Sequence, residues 1–106
     1  MKMAPFVIPS YILTKIREKH GVELEEVKEA FFNRIDHMPR ESREKHQRDY
    51  KKIWFISETD SGRLLKVVIA ESDEDQLTLM SAYDPCEEDI IEYENEIKNI
   101  KADTQG

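Results

Sequence analysis

The sequence lacks the features of secreted and membrane proteins. Its only cysteine is Cys86, so no internal disulfide can form, and a reducing compartment fits that usage. No apolar run approaches the roughly 18 residues that cross a bilayer. The apolar segment within Met1–Tyr11 is too short for a signal peptide, which predicts a cytoplasmic protein. There is no internal repeat and no low-complexity tract. His20, His37 and His46 do not fall at metal-ligand spacing, so neither a metal site nor a cofactor is expected. Positive charge is scarce after Lys52: residues 53–106 hold 4 Lys and Arg against 14 Asp and Glu.

What is present is a periodic, heavily charged chain. It has 106 residues, 39% hydrophobic and 37% charged, which predicts one domain over 1–106 with a modest core. The net charge of −7 argues against nonspecific nucleic-acid binding. Residues 1–52 differ from the whole, with 12 Lys and Arg against 9 Asp and Glu. The first half can therefore present a basic face, while the second half suits a basic partner.

Residues 1–9 read as an N-terminal arm, with a short extended piece at Phe6–Ile8 as a candidate fourth strand. Ser10 is placed to cap a first helix, on which Ile12, Leu13 and Ile16 recur at helical spacing. Gly21 is placed to end it in the left-handed conformation. A second helix is predicted over Glu23–Asn33, with Leu24, Val27, Ala30 and Phe31 on one face. Arg34–Lys52 shows no clean period and reads as a long basic loop.

Ile53–Glu58, Arg63–Glu71 and Leu77–Tyr83 then read as strands of an antiparallel meander. In the third, alternation assigns Leu77, Leu79 and Ser81 to one face. Lys66, inside the apolar run, is expected on the less buried face. Pro85 opens a last helix whose first turn holds Glu87, Glu88 and Asp89, with Asp84 as the expected N-cap. Residues 101–106 read as a frayed tail. The expected fold class is α+β, with two N-terminal helices, a three-stranded sheet and a C-terminal helix.

Three stretches together resemble one family. KHGVELEEV at Lys19–Val27 resembles the helix pair of the BrnT-type toxins. SGRLLKVVIAE at Ser61–Glu71 resembles their hairpin, and MSAYDPCEEDIIEYE at Met80–Glu94 their ending. The resemblance covers roughly Lys15–Asn95. It implies a RelE-like toxin fold, a bacterial cytoplasmic setting, a cognate antitoxin as partner and RNA as the substrate of a ribonuclease. WFISETDSGRLLKVV and SAYDP are also similar to short bacterial proteins often described as ADP-ribosyl-(dinitrogen reductase) hydrolases. The true hydrolases of that name are much longer, all-helical and built around two metals, so the description implies little for this chain. At Tyr83-Asp84 the sequence departs from the toxins, which keep a basic pair there. An aspartate repels RNA, whereas cleavage uses cations at the scissile phosphate and acid and base groups for the proton transfers.

The resemblance points to Arg43, Arg63 and Tyr83 as candidate site residues. Arg43 is the positional match for a catalytic arginine, or else part of a solvated loop. Arg63 can reach a phosphate with its planar fork, or pair with Glu58 across the hairpin. Tyr83 can stack on a base or donate a proton, or simply close the core edge. His20 and His46 are weaker candidates for proton transfer; His20 equally suits a helix C-terminus. Two functions follow as expectations: a diverged toxin that binds or cleaves RNA, and a non-enzymatic module that meets a protein through its acidic half. A homodimer stays open.

Overall fold

The computed structural model describes residues 6–34, 50–72 and 76–105. The element order is α1 (Ser10–His20), α2 (Leu24–Asn33), β1 (Tyr50–Glu58), β2 (Leu64–Ser72), β3 (Leu77–Tyr83) and α3 (Glu87–Gln105). The strands form one antiparallel sheet in the order β1-β2-β3. The fold is α+β, as the periodicities indicate. Among the described residues no helix is long and apolar enough to cross a membrane.

Helix α1 begins at Ser10 itself, and the flanking position is Pro9, so the expected serine cap is not used. Its stop matches the sequence. Gly21 adopts φ +62, and the Gly21 and Val22 amides bond back to the Arg17 and Ile16 carbonyls. Only glycine takes that conformation without a Cβ penalty. At the start of α2 the Glu26 carboxylate accepts the Glu23 amide at 3.0 Å, which satisfies one of the orphan donors there.

One sheet face carries the core. Ile53 and Phe55 of β1, Leu65, Val67 and Ile69 of β2, and Leu79 and Ala82 of β3 are all buried. They meet Ile12 and Ile16 of α1 and Val27, Ala30 and Phe31 of α2. Each of these Val, Leu, Ile and Phe side chains contributes about 1.5–3 kcal/mol on burial. Val22 seals the α1–α2 corner.

Two departures from the sequence reading matter for the site. First, β1 starts at Tyr50, so Lys51 and Lys52 belong to the strand and not to a loop. Second, β3 does not alternate throughout. Ile69 pairs with Leu79 and Val68 with Ser81, which leaves Met80 as an extra residue in a bulge. Leu79 and Ala82, three apart, therefore both face the core, while Ser81 does not follow Leu79 inward.

The N-terminal segment closes part of the outer edge of β3. Val7 forms a parallel bridge with Thr78, with its amide donating to Leu77 and its carbonyl accepting from Leu79. Next to it, Phe6 packs edge-on against Phe31. Helix α3 covers part of the second sheet face, where Tyr93 packs on Trp54 with ring centroids 5.3 Å apart. Its backbone is helical as far as Gln105.

Candidate functional site

Two clusters meet at Tyr83. The first forms around Arg63, which follows the Thr59–Gly62 turn. That turn is held by the Thr59 amide on the Arg63 carbonyl and the Gly62 amide on the Thr59 carbonyl. Arg63 Nε and Nη2 donate to the two Asp84 oxygens at 2.9 and 3.1 Å. Nη1 donates to the Gly21 carbonyl and to Glu26, and Nη2 also to the His20 carbonyl. A guanidinium has five N–H donors, and these partners account for all of them. The group is a staple that joins the hairpin turn to the ends of α1, α2 and β3, and it places a cation at the α1 C-terminus. The Glu58 partner expected from the hairpin register is not used.

This arrangement explains Asp84. Its carboxylate is held by Arg63 and does not cap α3. The Asp84 pKa falls below the ordinary carboxylate value because of the Arg63 hydrogen bond, against a smaller opposing effect of burial. The α3 N-terminus is served by Asp89 instead, whose Oδ2 accepts the Cys86 amide at 3.1 Å. The Cys86 thiol also donates to that oxygen, at 3.3 Å.

The second cluster is a cleft of about 300 Å³ on the second sheet face. Three strands and α1 build it. Lys52 and Trp54 come from β1, Lys66 and Val68 from β2, Met80, Ser81 and Tyr83 from β3, and Lys15 from α1. The bulge shapes one wall, because Met80 and Ser81, adjacent in sequence, both line it. Lys15 Nζ donates to the Met80 carbonyl at 3.1 Å, which fixes the α1 lysine beside the bulge.

Lys66 is the deepest cation. It lies on the sheet face opposite the main core, as expected of it, yet the residue is only 5% exposed. Its Nζ donates to Asp89 Oδ1 at 2.9 Å and stands 4.5 Å from the Trp54 ring centroid and 5.9 Å from that of Tyr83. Burial pushes the ammonium pKa down, but the Asp89 bond and the Tyr83 hydroxyl outweigh it, so the pKa lies above the ordinary lysine value. Burial likewise pushes Asp89 up, and its bonds to Lys66 and Cys86 pull it below the ordinary value. Both groups are thus charged at neutral pH, and among the described residues three lysines, Lys15, Lys52 and Lys66, line the cleft.

The structure brings together three of the five sequence candidates. Arg63 bonds the His20 carbonyl, and the His20 and Tyr83 rings lie 5.5 Å apart, tilted by 44°. Of the three, only Tyr83 lines the cleft. Arg43 and His46 lie outside the described residues. The sequence reading missed Lys15, Lys52, Lys66 and Trp54 as a group. Their only sequence signal was positive charge on strand-like and helical runs.

A larger groove of about 620 Å³ lies at the β1–β2 turn, lined by Asn33, Glu58 and Asp60 among others. Some of its polar groups are engaged internally: Asn33 donates to the Glu58 carbonyl and to Asp60, and the Asp60 amide donates to Glu29. Among the described residues no group of His, Cys, Asp and Glu is arranged to hold a metal ion. Compared with known proteins, the chain matches no family model, no curated protein and no solved structure.

Proposed function

We propose that the chain is a diverged BrnT/RelE-like toxin-fold protein, the toxin-side component of a toxin–antitoxin pair, that binds RNA at the lysine-lined cleft. One observation carries this reading. Lys15, Lys52 and Lys66 converge on a cleft beside Trp54 and Tyr83 in a chain of net charge −7. Ammonium groups bind phosphates as point charges, and an aromatic face accepts a base. The element order and the three sequence stretches support the toxin-like fold.

Binding has better support than cleavage. Arg63, a candidate for the scissile phosphate, has its donors committed to Asp84, Glu26 and two carbonyls. Tyr83 and His20, whose ring centroids lie 5.5 Å apart, stay the candidates for proton transfer. A second reading, a non-enzymatic protein-binding module, is favoured by the acidic groove at Glu58 and Asp60.

The test is expression in a bacterial host together with RNA binding by the purified protein. The reading expects retardation of short single-stranded RNA that weakens with salt and is lost in Lys15→Gln/Lys52→Gln. Growth arrest that Arg43→Ala or Tyr83→Phe abolishes would add cleavage. A folded protein that neither binds RNA nor slows growth leaves the protein-binding module.

A further inference from the structure

We propose that the groove at the β1–β2 turn takes an arginine side chain from a basic segment of a partner protein; this rests on the protein-binding reading above and uses no residue of the lysine-lined cleft.

Two independent observations point to a ligand. The first is carboxylate charge without a cation. Glu58 and Asp60 line the groove, and Glu29 stands beside it, where its Oε1 accepts the Asp60 amide at 3.0 Å. Among the described residues no lysine, arginine or histidine pairs with any of the three. The internal bonds use one Asp60 oxygen, one Glu29 oxygen and the Glu58 carbonyl. The Glu58 carboxylate is left over, with the second oxygens of Asp60 and Glu29. The second observation is Ser57. It lines the groove and is only 7% exposed, so what is accessible of it lies there. Its hydroxyl has no hydrogen-bond partner among the described residues. A nearly buried hydroxyl in that state is costly until a donor reaches it.

The shape of the groove selects the cation. The described acidic side chains are not grouped closely enough to hold a metal ion. A volume of about 620 Å³ suits a long side chain with its neighbours. An added strand is disfavoured at this point of β1, because the Glu58 carbonyl already accepts Asn33 at 2.9 Å and the Ile56 backbone bonds Tyr93. Recognition then falls to a side chain. A guanidinium presents five donors in one plane, enough for the carboxylates and the Ser57 oxygen together, whereas an ammonium presents three from a single point. Leu64, 39% exposed, supplies apolar surface for the arginine stem. Residues 53–106 carry 4 Lys and Arg against 14 Asp and Glu, a field that draws in a basic segment from a distance.

The probes are three tripeptides, acetylated and amidated at their ends: Ala-Arg-Ala, Ala-Lys-Ala and the citrulline counterpart of the first, which keeps nearly the arginine shape without its charge. Amide resonances of the isotope-labelled protein are followed during titration. The arginine peptide is expected to shift the amides of residues 57–60. It should bind at least about tenfold more tightly than the citrulline peptide, more tightly than the lysine peptide, and less tightly as salt is raised. Glu58→Gln and Ser57→Ala should each weaken it several-fold. Neither side chain is bonded within the protein, so both variants should melt near the wild-type temperature.

Equal affinity for the arginine and citrulline peptides, or unchanged affinity in both variants, overturns the proposal. A lysine peptide bound as tightly as the arginine one overturns the choice of arginine. Shifts confined to other amides overturn this groove and leave the protein-binding reading standing; no shifts anywhere count against both. The RNA reading is decided separately, by Lys15 and Lys52.

Discussion

Arg63 and Lys66 show how two cations three residues apart take different tasks. Arg63 keeps a side chain that is 28% exposed, yet its bonds reach three other segments of the chain, at the ends of α1, α2 and β3. The Asp84 arm is screened by water and contributes little. The bonds to Glu26 and to the His20 carbonyl are better shielded. Arg63→Ala is expected to lower stability by about 2 kcal/mol, most of it from those bonds. Arg63→Lys should recover less than half, since an ammonium cannot reproduce the fork. Urea midpoints measure both, and a lysine variant as stable as the wild type would rule out the staple.

Lys66, which is buried, and Asp89, which is partly buried, form a shielded pair, for which removal of one partner is costlier than removal of both. Lys66→Met alone should cost about 3–5 kcal/mol, because it strands the Asp89 charge. In Lys66→Met/Asp89→Leu much of that loss should return, apart from the Cys86 amide bond that Asp89 also accepts. A double-mutant cycle with no coupling would contradict the pairing. None of this is legible from the sequence. A lysine in an apolar run reads as lying on the less buried face, and its burial there stays hidden until a carboxylate 23 positions away is known to bond it.

At the scale of elements, punctuation and period carried the reading furthest. Gly21 and the apolar spacings located α1 and α2, and the polar turns separated the strands, because these signals are local. The β3 bulge was hidden for the opposite reason. LTLMSAY alternates well enough on its own, and only pairing with β2 shows that Met80 is extra. The cleft went unseen with it, since its lysines sit at positions 15, 52 and 66 on three different elements.

Gly21 offers a clean element-level test. A Cβ there meets nothing within 4 Å, so substitution costs backbone strain without a clash. Gly21→Ala should destabilise by about 1–2 kcal/mol, and Gly21→Asn by less, because asparagine tolerates left-handed backbone. Equal loss in both, by thermal melting, would point to a tertiary role for the glycine.

For the molecule as a whole, the shifted groups set the pH range of stability. Asp84 and Asp89 titrate lower in the folded state than unfolded. Their contribution is present above the unfolded carboxylate value and is lost as pH falls through the folded values. Lys66 and Tyr93 titrate higher when folded, Tyr93 chiefly through burial. Their contribution is present below the unfolded values and is lost as pH rises through the folded ones. Denaturation midpoints are therefore expected to hold steady between about pH 5 and 9, fall below about 4, and fall again above about 10. Stability that climbed between pH 10 and 11 would contradict the assignments for Lys66 and Tyr93.

The two-hydrogen-bond bridge at Val7 has a practical consequence for handling the protein. It occupies backbone groups of β3 at Leu77 and Leu79 that would otherwise be a template for another strand. A chain shortened to begin at Pro9 loses both that cover and the Phe6 ring in the core. Such a chain is expected to aggregate as its concentration rises, with light-scattering mass increasing where the longer chain stays constant. Trimming the N-terminus for crystallisation would therefore create a sticky strand, and residues 6–8 are best retained.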